Sequence, residues 1–353
     1  MAYRSPSGSN TFTPAYELTL ALVQATRDPG SFKLAKYIQY VKTDLRVFYY
    51  CRLDLDEPAR LVTQQEFLWA PGQDAPTYGN IGAFQFIQAA TLKYGFGWIL
   101  PNEAIDQAAW DLDASQMGLV SQKAMTNRVM STSTLAQTVA NWPSSNTAMA
   151  NTLNAGAGKF DTASSDPADV RYLAIRKALT AAQETIVLQT NGAIKIADMN
   201  FVGSPKLFKA MGNTSEIFDY TKGSPDAFRR QEGTDVKFFG EFGMPGAYAS
   251  MNMVCEDAVK VTSRPNVTTG LAVTGTRDWV WASEKPCILS RKGGIEGKYG
   301  GPSLSTVQLY YYRNMETFTK SDVDNERQAG RIVDDIVVLL PFGQSGYLIQ
   351  AAL

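Results

Sequence analysis

The stretch from residue 59 to residue 100 sets the tightest limit on how this chain can fold. It reads as a long β-hairpin, with a first arm around Arg60–Trp69 and a return arm around Phe84–Ile99. The tip between them, APGQDAPTYGNIG, is rich in Gly and Pro, which is strong turn chemistry. Polar Gln recurs along the arms, so the hairpin has little core of its own. A two-stranded ribbon of this kind is marginal in water unless it rests on something else.

The next segment reads as helix. Pro101-Asn102-Glu103 opens a Pro-free stretch that closes at Trp142-Pro143. Ile105, Ala109, Leu112, Leu119, Val120 and Ala124 fall close to helical spacing. Asp106, Asp111 and Asp113 lie toward the start, where they suit the positive end of a helix dipole. The pattern predicts one long helix from about Asn102 to Val139, bent near Gly118. Its packed side carries Ile105, Ala109, Leu112, Leu119 and Val120, while Asp106, Asp113 and Lys123 point elsewhere.

Elsewhere the chain alternates short elements and loops. Residues 1–15 read as an extended polar arm, followed by a short helical pattern around Tyr16–Arg27. Residues 34–53 are apolar and aromatic. A Ser-, Asn-, Ala- and Gly-rich loop is expected over 143–165. Asp166-Pro167-Ala168-Asp169 reads as a helix start, the helix running to about Gln189 and stopping at Asn191-Gly192. A strand, AIKIADMNFV, and a Pro-initiated helix, PKLFKAM, come next. Residues 219–300 are mixed, with short strands at Asp235–Phe239 and Gly246–Cys255. Two β runs, Thr306–Tyr312 and Ile332–Leu340, flank the polar loop TKSDVDNERQAG, and the last strand is Tyr347–Leu353. No internal repeat is visible.

Composition narrows the chemistry. Hydrophobic residues make up 44% of the 353, enough for a real core. There is no histidine, which removes Ser-His-Asp and Cys-His hydrolases and histidine-bearing zinc sites. Cys51, Cys255 and Cys287 are odd in number and far apart, and read as reduced thiols. The polar N-terminus has no apolar signal core, and no apolar run is long enough to span a membrane. Asn213-Thr214-Ser215 and Asn266-Val267-Thr268 fit the glycosylation sequon by chance. A net charge of -1 means that any nucleic-acid contact must come from a local basic face.

Each candidate for chemistry has a simpler reading. Ala157-Gly158-Lys159-Phe160 looks like the end of a phosphate-binding loop, but Leu153 and Phe160 stand where that motif needs Gly and Ser or Thr, so a flexible loop is expected. Asp54, Asp56 and Glu57 could hold a hard cation, and read more simply as a solvated turn before Pro58. Asp322, Asp324 and Glu326 lack the Gly and distal Glu of a calcium loop, and read as a charged loop at a subunit junction. Arg229-Arg230 and Arg291-Lys292 read as solvated surface. The aromatic runs Phe48-Tyr49-Tyr50, Tyr94–Trp98 and Tyr310-Tyr311-Tyr312 suit strand packing or a subunit interface better than base stacking. No constellation assembles an active site, so no catalytic, cofactor or metal residues are assigned.

The order of elements carries a resemblance. YGFGWILPNEAIDQAAWDLDASQ is similar to the stretch of tailed-phage major capsid proteins of the Hong Kong 97-like fold where an aromatic-Gly return strand enters a spine helix. DPADVRYLAIRKALTAAQETIVLQTNG, ADMNFVGSPKLFKAMG and LLPFGQSGYLIQ resemble later stretches of the same family. The resemblance implies an α+β fold: an N-terminal arm and lead-in (1–58), an extended E-loop hairpin (59–100), a P-domain with the spine helix (101–165), an A-domain (166–305) and C-terminal strands shared between P- and A-domains (306–353). It implies a non-enzymatic subunit forming hexamers and pentamers of an icosahedral shell around packaged double-stranded DNA, bound on the inner face without sequence specificity. Portal, scaffolding and decoration proteins are the implied partners. The place is the virion, with assembly in the host cytoplasm, no membrane and no cofactor. The alternatives are an encapsulin-type compartment shell and, from another class, a carboxylate-dependent hydrolase.

Overall fold

The computed structural model of the chain describes residues 29–53, 84–108, 111–222, 241–262, 276–292, 304–322 and 326–353. In chain order the first elements are α1 (Leu34–Tyr37), β1 (Gln39–Lys42), β2 (Val47–Leu53), β3 (Phe84–Ala90), β4 (Leu92–Pro101), α2 (Asn102–Gln107) and α3 (Leu112–Ala136). Then come β5 (Thr147–Met149), α4 (Ala150–Leu153), α5 (Ala174–Gln189), β6 (Met199–Gly203), α6 (Pro205–Gly212) and α7 (Ser215–Lys222). The remainder is β7 (Ala247–Tyr248), β8 (Met251–Cys255), β9 (Val259–Val261), β10 (Arg277–Trp279), β11 (Cys287–Ser290), β12 (Gln308–Asp322), β13 (Arg327–Leu339) and β14 (Tyr347–Gln350). A six-stranded sheet has the order β5-β14-β11-β6-β8-β7 and a four-stranded sheet the order β1-β12-β13-β4; β2-β3 and β9-β10 form separate ribbons.

The six-stranded sheet is covered on both faces, since its central strands β6 and β11 are buried at every position and apolar residues of each point both ways. Met199, Phe201 and Ile288 point into a core shared with α5 and α6 (Ile175, Leu179, Ile186, Leu207, Phe208), while Val202, Cys287 and Leu289 point into a second core with Trp281, Tyr37 and Leu348. Helix α5 buries Ala174, Ile175, Ala178, Leu179, Ala182 and Ile186, a stripe at three- and four-residue spacing. It ends where expected: Asn191 adopts the left-handed conformation and the Gly192 N–H returns to the Val187 carbonyl at 2.8 Å. Helix α6 also starts as its sequence suggests, with the Ser204 hydroxyl accepting from the Leu207 N–H and Pro205 in the first turn.

The four-stranded sheet carries α3 on one face only. Ile332, Asp334 and Ile336 of β13 look toward the helix, where Val120, Met125, Arg128 and Val129 meet them. Trp98 crosses the same interface, donating to Asp113 at 2.6 Å, and its ring occupies the space above Gly330. A Cβ at Gly330 would sit 2.0 Å from the indole, so the glycine is required by close approach.

Several expectations are corrected. The long helix is interrupted: α2 ends at Gln107, Ala108 is extended, and α3 begins at Leu112 with Asp111 accepting from the Ala114 N–H at 2.9 Å. The break therefore lies where Asp111 caps a new start, and Gly118 is inside a continuous helix. Asp113 does not point away; it is tied to Trp98. Val120 is buried and Ile105 and Leu112 pack on the same cluster, but Leu119 is only half-buried, and the face continues instead through Ala124, Arg128 and Thr132. Ala109 lies outside the described residues.

Asp166 and Asp169 close local turns onto the Ala168 and Arg171 N–H groups rather than opening a helix, and α5 starts later at Ala174. Residues 143–165 hold short elements and buried anchors, among them Ala150 and Phe160. AIKIADMNFV is strand only from Met199, and Gly246–Cys255 is two strands folded back at Ala249 and Ser250, both in left-handed conformation. The polar loop TKSDVDNERQAG is largely β-sheet, with Thr319 through Asp322 pairing with Gly330 through Arg327. A strand whose outer face meets water can be polar without ceasing to be a strand, which is why hydrophobicity alone hid it. The segments Tyr16–Arg27, Arg60–Trp69 and Asp235–Phe239 lie outside the described residues.

Candidate assembly surfaces

The ribbon β2-β3 is the least self-supported part of the described chain. Its strands pair antiparallel from Val47↔Ala90 to Leu53↔Phe84, so residues directly opposite share a face. One face carries Phe48 and Tyr50, which meet Tyr310 of the four-stranded sheet with ring centroids 4.8 and 6.2 Å apart. The other carries Val47, Tyr49, Cys51 and Phe86. Val47 is 49% exposed, Tyr49 68% and Phe86 72%, and no ribbon residue with a described side chain is buried. Large aromatic side chains in water on a two-stranded ribbon are surface awaiting a partner.

The base of the ribbon is held by charge. Arg46, just before β2, donates to Asp335 at 3.0 Å, and its carbonyl accepts from the Thr91 N–H at 2.8 Å. Asp335 is buried, with Arg313 a further 3.7 Å from the same carboxylate oxygen. Its sequence neighbour Asp334 faces the other way and takes two hydrogen bonds from Arg128 of α3, at 2.9 and 2.6 Å. Arg128 also reaches Asn314 at 2.8 Å and lies over the Tyr40 ring. Burial pulls the Arg128 guanidinium down and the Asp334 ion pair more than restores it, so the arginine stays charged. The signal for this network is legible afterwards: two adjacent aspartates inside the apolar run RIVDDIVVLL must each find a cation.

Two other buried carboxylates do structural work. Glu216 of α7 accepts from the Ile175 and Arg176 N–H groups at 3.1 and 2.8 Å, capping α5 from a distance, and from the Tyr248 hydroxyl at 2.6 Å. Burial, then the Glu216 charge, pushes the Tyr248 phenol well up. Glu256 accepts from the Tyr37 hydroxyl at 2.8 Å, and burial followed by the same charge pushes Tyr37 well up. Each carboxylate is committed to its own donors, so none is poised beside another as a general acid–base pair. Among the described residues no three His, Cys, Asp or Glu side chains gather as a metal site.

A groove of about 460 Å³ runs along the flank of α3, lined by Leu92, Tyr94, Asn127, Met130, Leu135 and Ile336 among others. Leu92 and Met130 are exposed in it. No described helix is long and apolar enough to cross a membrane.

The sequence candidates scatter. Ala157-Gly158-Lys159-Phe160 is tied down rather than flexible: Ala157 and Phe160 are buried, Asn154 donates to the Gly158 carbonyl at 2.7 Å, and the Phe160 N–H bonds the Ala352 carbonyl. Arg291 is exposed and Lys292 contacts the Ala193 carbonyl. Glu326 is exposed in the turn between β12 and β13, Asp322 ends β12, and Asp324 is outside the described residues, as are Asp54, Asp56, Glu57, Arg229, Arg230 and Asn266. Asn213 caps the end of α6. Of the aromatic runs, Trp98 and Tyr310 are buried, Phe48 and Tyr50 are partly covered, and Tyr49 is exposed. Cys255 and Cys287 are buried and Cys51 is half-buried; burial pushes Cys287 well up.

No family model matches the chain, and no curated protein matches it. Solved structures do. A phage-related protein from Bordetella bronchiseptica RB50 matches with a TM-score of 0.58 and 12% identity, over 97% of this chain and 99% of that one. The mature capsid of bacteriophage PhiM1 matches with a TM-score of 0.52 and 11% identity, over 99% of this chain and 92% of that one. At such identities the likeness is one of fold. The chain has the Hong Kong 97-like α+β fold of tailed-phage capsid subunits.

Proposed function

We propose that this chain is a major capsid protein: a non-enzymatic subunit that assembles with its own copies, as hexamers and pentamers, into the icosahedral shell of a tailed phage around packaged double-stranded DNA. The fold supports the class of protein. The observation that carries the assembly reading is the ribbon, whose apolar face of Val47, Tyr49 and Phe86 is exposed and has no cover among the described residues. The DNA would meet the inner face without sequence specificity, and portal, scaffolding and decoration proteins would complete the particle in the host cytoplasm.

The domain division follows the same reading: arm and lead-in over 1–58, E-loop over 59–100, P-domain over 101–165, A-domain over 166–305, and shared strands over 306–353. Support comes from β12 and β13 lying in one sheet and β14 in the other. Light scattering and electron microscopy of the purified protein test the proposal. Capsomers or closed shells are expected; a stable monomer at every concentration and salt tried would sink it.

A further inference from the structure

Two glycines of β4 have no explanation within the described chain. Gly95 and Gly97 stand in the interior of a ten-residue strand, where glycine is less stable than a residue with a side chain to pack. Gly330 must be glycine because the Trp98 indole fills the space above it. A Cβ at Gly95, by contrast, would meet nothing within 4 Å, and one at Gly97 only the Gly330 carbonyl at 3.5 Å, an ordinary contact. Both are exposed, and neither has a left-handed backbone. A strand glycine that its own fold does not require marks a place where another chain comes close. Phe96 and Trp98 turn toward α3, so Gly95 and Gly97 look out from the opposite face of the sheet, beside exposed Lys93 and Ile99. The register carries that face across the sheet: Lys93 opposite Asp335, Gly95 opposite Val333, Gly97 opposite Arg331, then Arg331 opposite Phe318 and Ala329 opposite Lys320.

Cations border this bare strip. Lys93, Lys320 and Arg331 are exposed, and among the described residues no ion pair takes them. The nearby acids are committed: Asp335 to Arg46, and Glu316 lies 3.7 Å from Arg313. Arg331 lies over the Phe318 ring at 5.5 Å from its centroid, with Arg313 against the same ring at 5.9 Å. Such stacking orders the guanidinium before a partner arrives and lowers the entropy lost on binding. Counted along the strands from the Lys93–Asp335 row, Arg331 is roughly 13 Å away and the Lys320–Ala329 row roughly 20 Å. Carboxylates on one side of an extended polypeptide recur about every 7 Å, which matches both spacings. We propose that this glycine-floored strip binds an extended, acidic segment of a different protein, its backbone over Gly95 and Gly97 and its carboxylates on Lys93, Arg331 and Lys320. The described strands of this chain offer no such segment: Asp334 and Asp335 are buried, Glu316 lies beside Arg313, and Asp278 is alone in β10. The strip is complete within one copy, so the inference does not rest on the shell reading.

The probe is a fluorescent peptide of about twelve residues, alternating Glu and Gly, titrated with the full chain at low salt and read by anisotropy. Binding is expected, and it should weaken as salt rises. Lys93→Glu with Arg331→Glu should weaken it by about tenfold or more and favour a peptide of alternating Lys and Gly instead. Gly95→Leu should also weaken it by about tenfold while leaving the thermal melt unchanged or higher, because the new side chain stands in open space and fills the strip. Gly95→Ala, a smaller filling, should act in the same direction if leucine lowers the melt. Unchanged affinity in the glycine variants overturns the site, since charge alone then explains the binding. So does a wild type that does not bind the peptide. A random-sequence DNA duplex that displaces the peptide, and is itself lost with Lys93→Glu and Arg331→Glu, would give the face to phosphate. A peptide that binds free subunits but not assembled ones would give it to a second copy. Either result overturns the proposal. The shell reading is decided separately, by light scattering of the wild type.

Discussion

Helices α3 and α5 each lie on a sheet, and they do so in opposite ways. Helix α5 buries an almost wholly apolar stripe, and the sheet under it is covered on its other face as well. Helix α3 is longer, but its buried face includes Arg128, Thr132 and Ser133, and the other face of the sheet under it is only partly covered, by the ribbon at Tyr310, with Lys93, Phe318, Lys320 and Arg331 exposed. The first region is finished within one chain. The second is held in register by an ion pair and close ring packing, and offers surface outward. A subunit of the kind proposed would need both kinds of region, and here each has its own helix and sheet.

The largest effect should fall in the α3 region despite its weaker core. Asp334→Ala leaves Arg128 charged and buried, and should cost about 3–5 kcal/mol in denaturant melts of the unassembled subunit. A cost under about 1 kcal/mol would mean that the pair is solvated and that α3 is not locked.

The apolar half of the comparison comes next. Leu179→Ala in α5 should cost about 2–5 kcal/mol, because the site is fully buried and a cavity remains. Leu112→Ala in α3, only partly buried, should cost about half as much. Equal losses would erase the distinction between the two helices.

Asp113→Ala removes the acceptor of the buried Trp98 indole and should cost about 1–2 kcal/mol. Asparagine at the same place keeps an acceptor and should recover most of it. If alanine is silent, Trp98 is held by packing over Gly330 alone.

Phe86→Ser should change subunit stability by about 0.5 kcal/mol or less, as expected of an exposed site, yet reduce assembly measured by light scattering. A large drop in stability would show that the ribbon is part of the core and would collapse the contrast drawn here.

The smallest effect is electrostatic and lies beside α5. Hydrogen bonds from Arg171 hold the exposed Asp169 carboxyl down at about 2. A depressed carboxylate stabilises above its unfolded value of about 3.9 and loses that contribution as pH falls through about 2. An NMR titration should place the midpoint near the lower figure, and Arg171→Ala should return it toward the ordinary value. An unmoved midpoint would mean that the local turn, rather than the arginine, sets it.

What the sequence reveals follows the same divide. The end of α5 and the start of α6 are readable, since Asn191-Gly192 and Ser204-Pro205 act on backbone only a few residues away. The start of α5 was hidden because its cap, Glu216, is remote in sequence. In the four-stranded sheet, the end of β12 and the start of β13 are largely exposed and polar and so read as a loop, TKSDVDNERQAG. The break between α2 and α3 was masked by apolar spacing that runs through it, and only Asp111, flanked by other acids, marks the cap. The hairpin expected over 59–100 is corrected: its return arm Phe84–Ile99 is two strands, β3 pairing with Val47–Leu53 in the ribbon and β4 joining the four-stranded sheet, because β4 finds its partner in the distant β13, while the first arm lies outside the described residues.

The pairing of early and late strands also governs timing. Strand β1 lies beside β12, with Thr43 bonded to Tyr311 across 268 residues, and β5 lies beside β14. The ribbon β2-β3 needs only nearby chain. On a ribosome adding about 5–20 residues each second, the aromatics of β2 and β3 emerge well before β12, whose Tyr310 covers Phe48 and Tyr50, and β13 arrive to close the four-stranded sheet. Nascent chains on one message could therefore meet through their ribbons before either is folded, so slow translation near residue 308 should favour clumping and a holdase chaperone should relieve it.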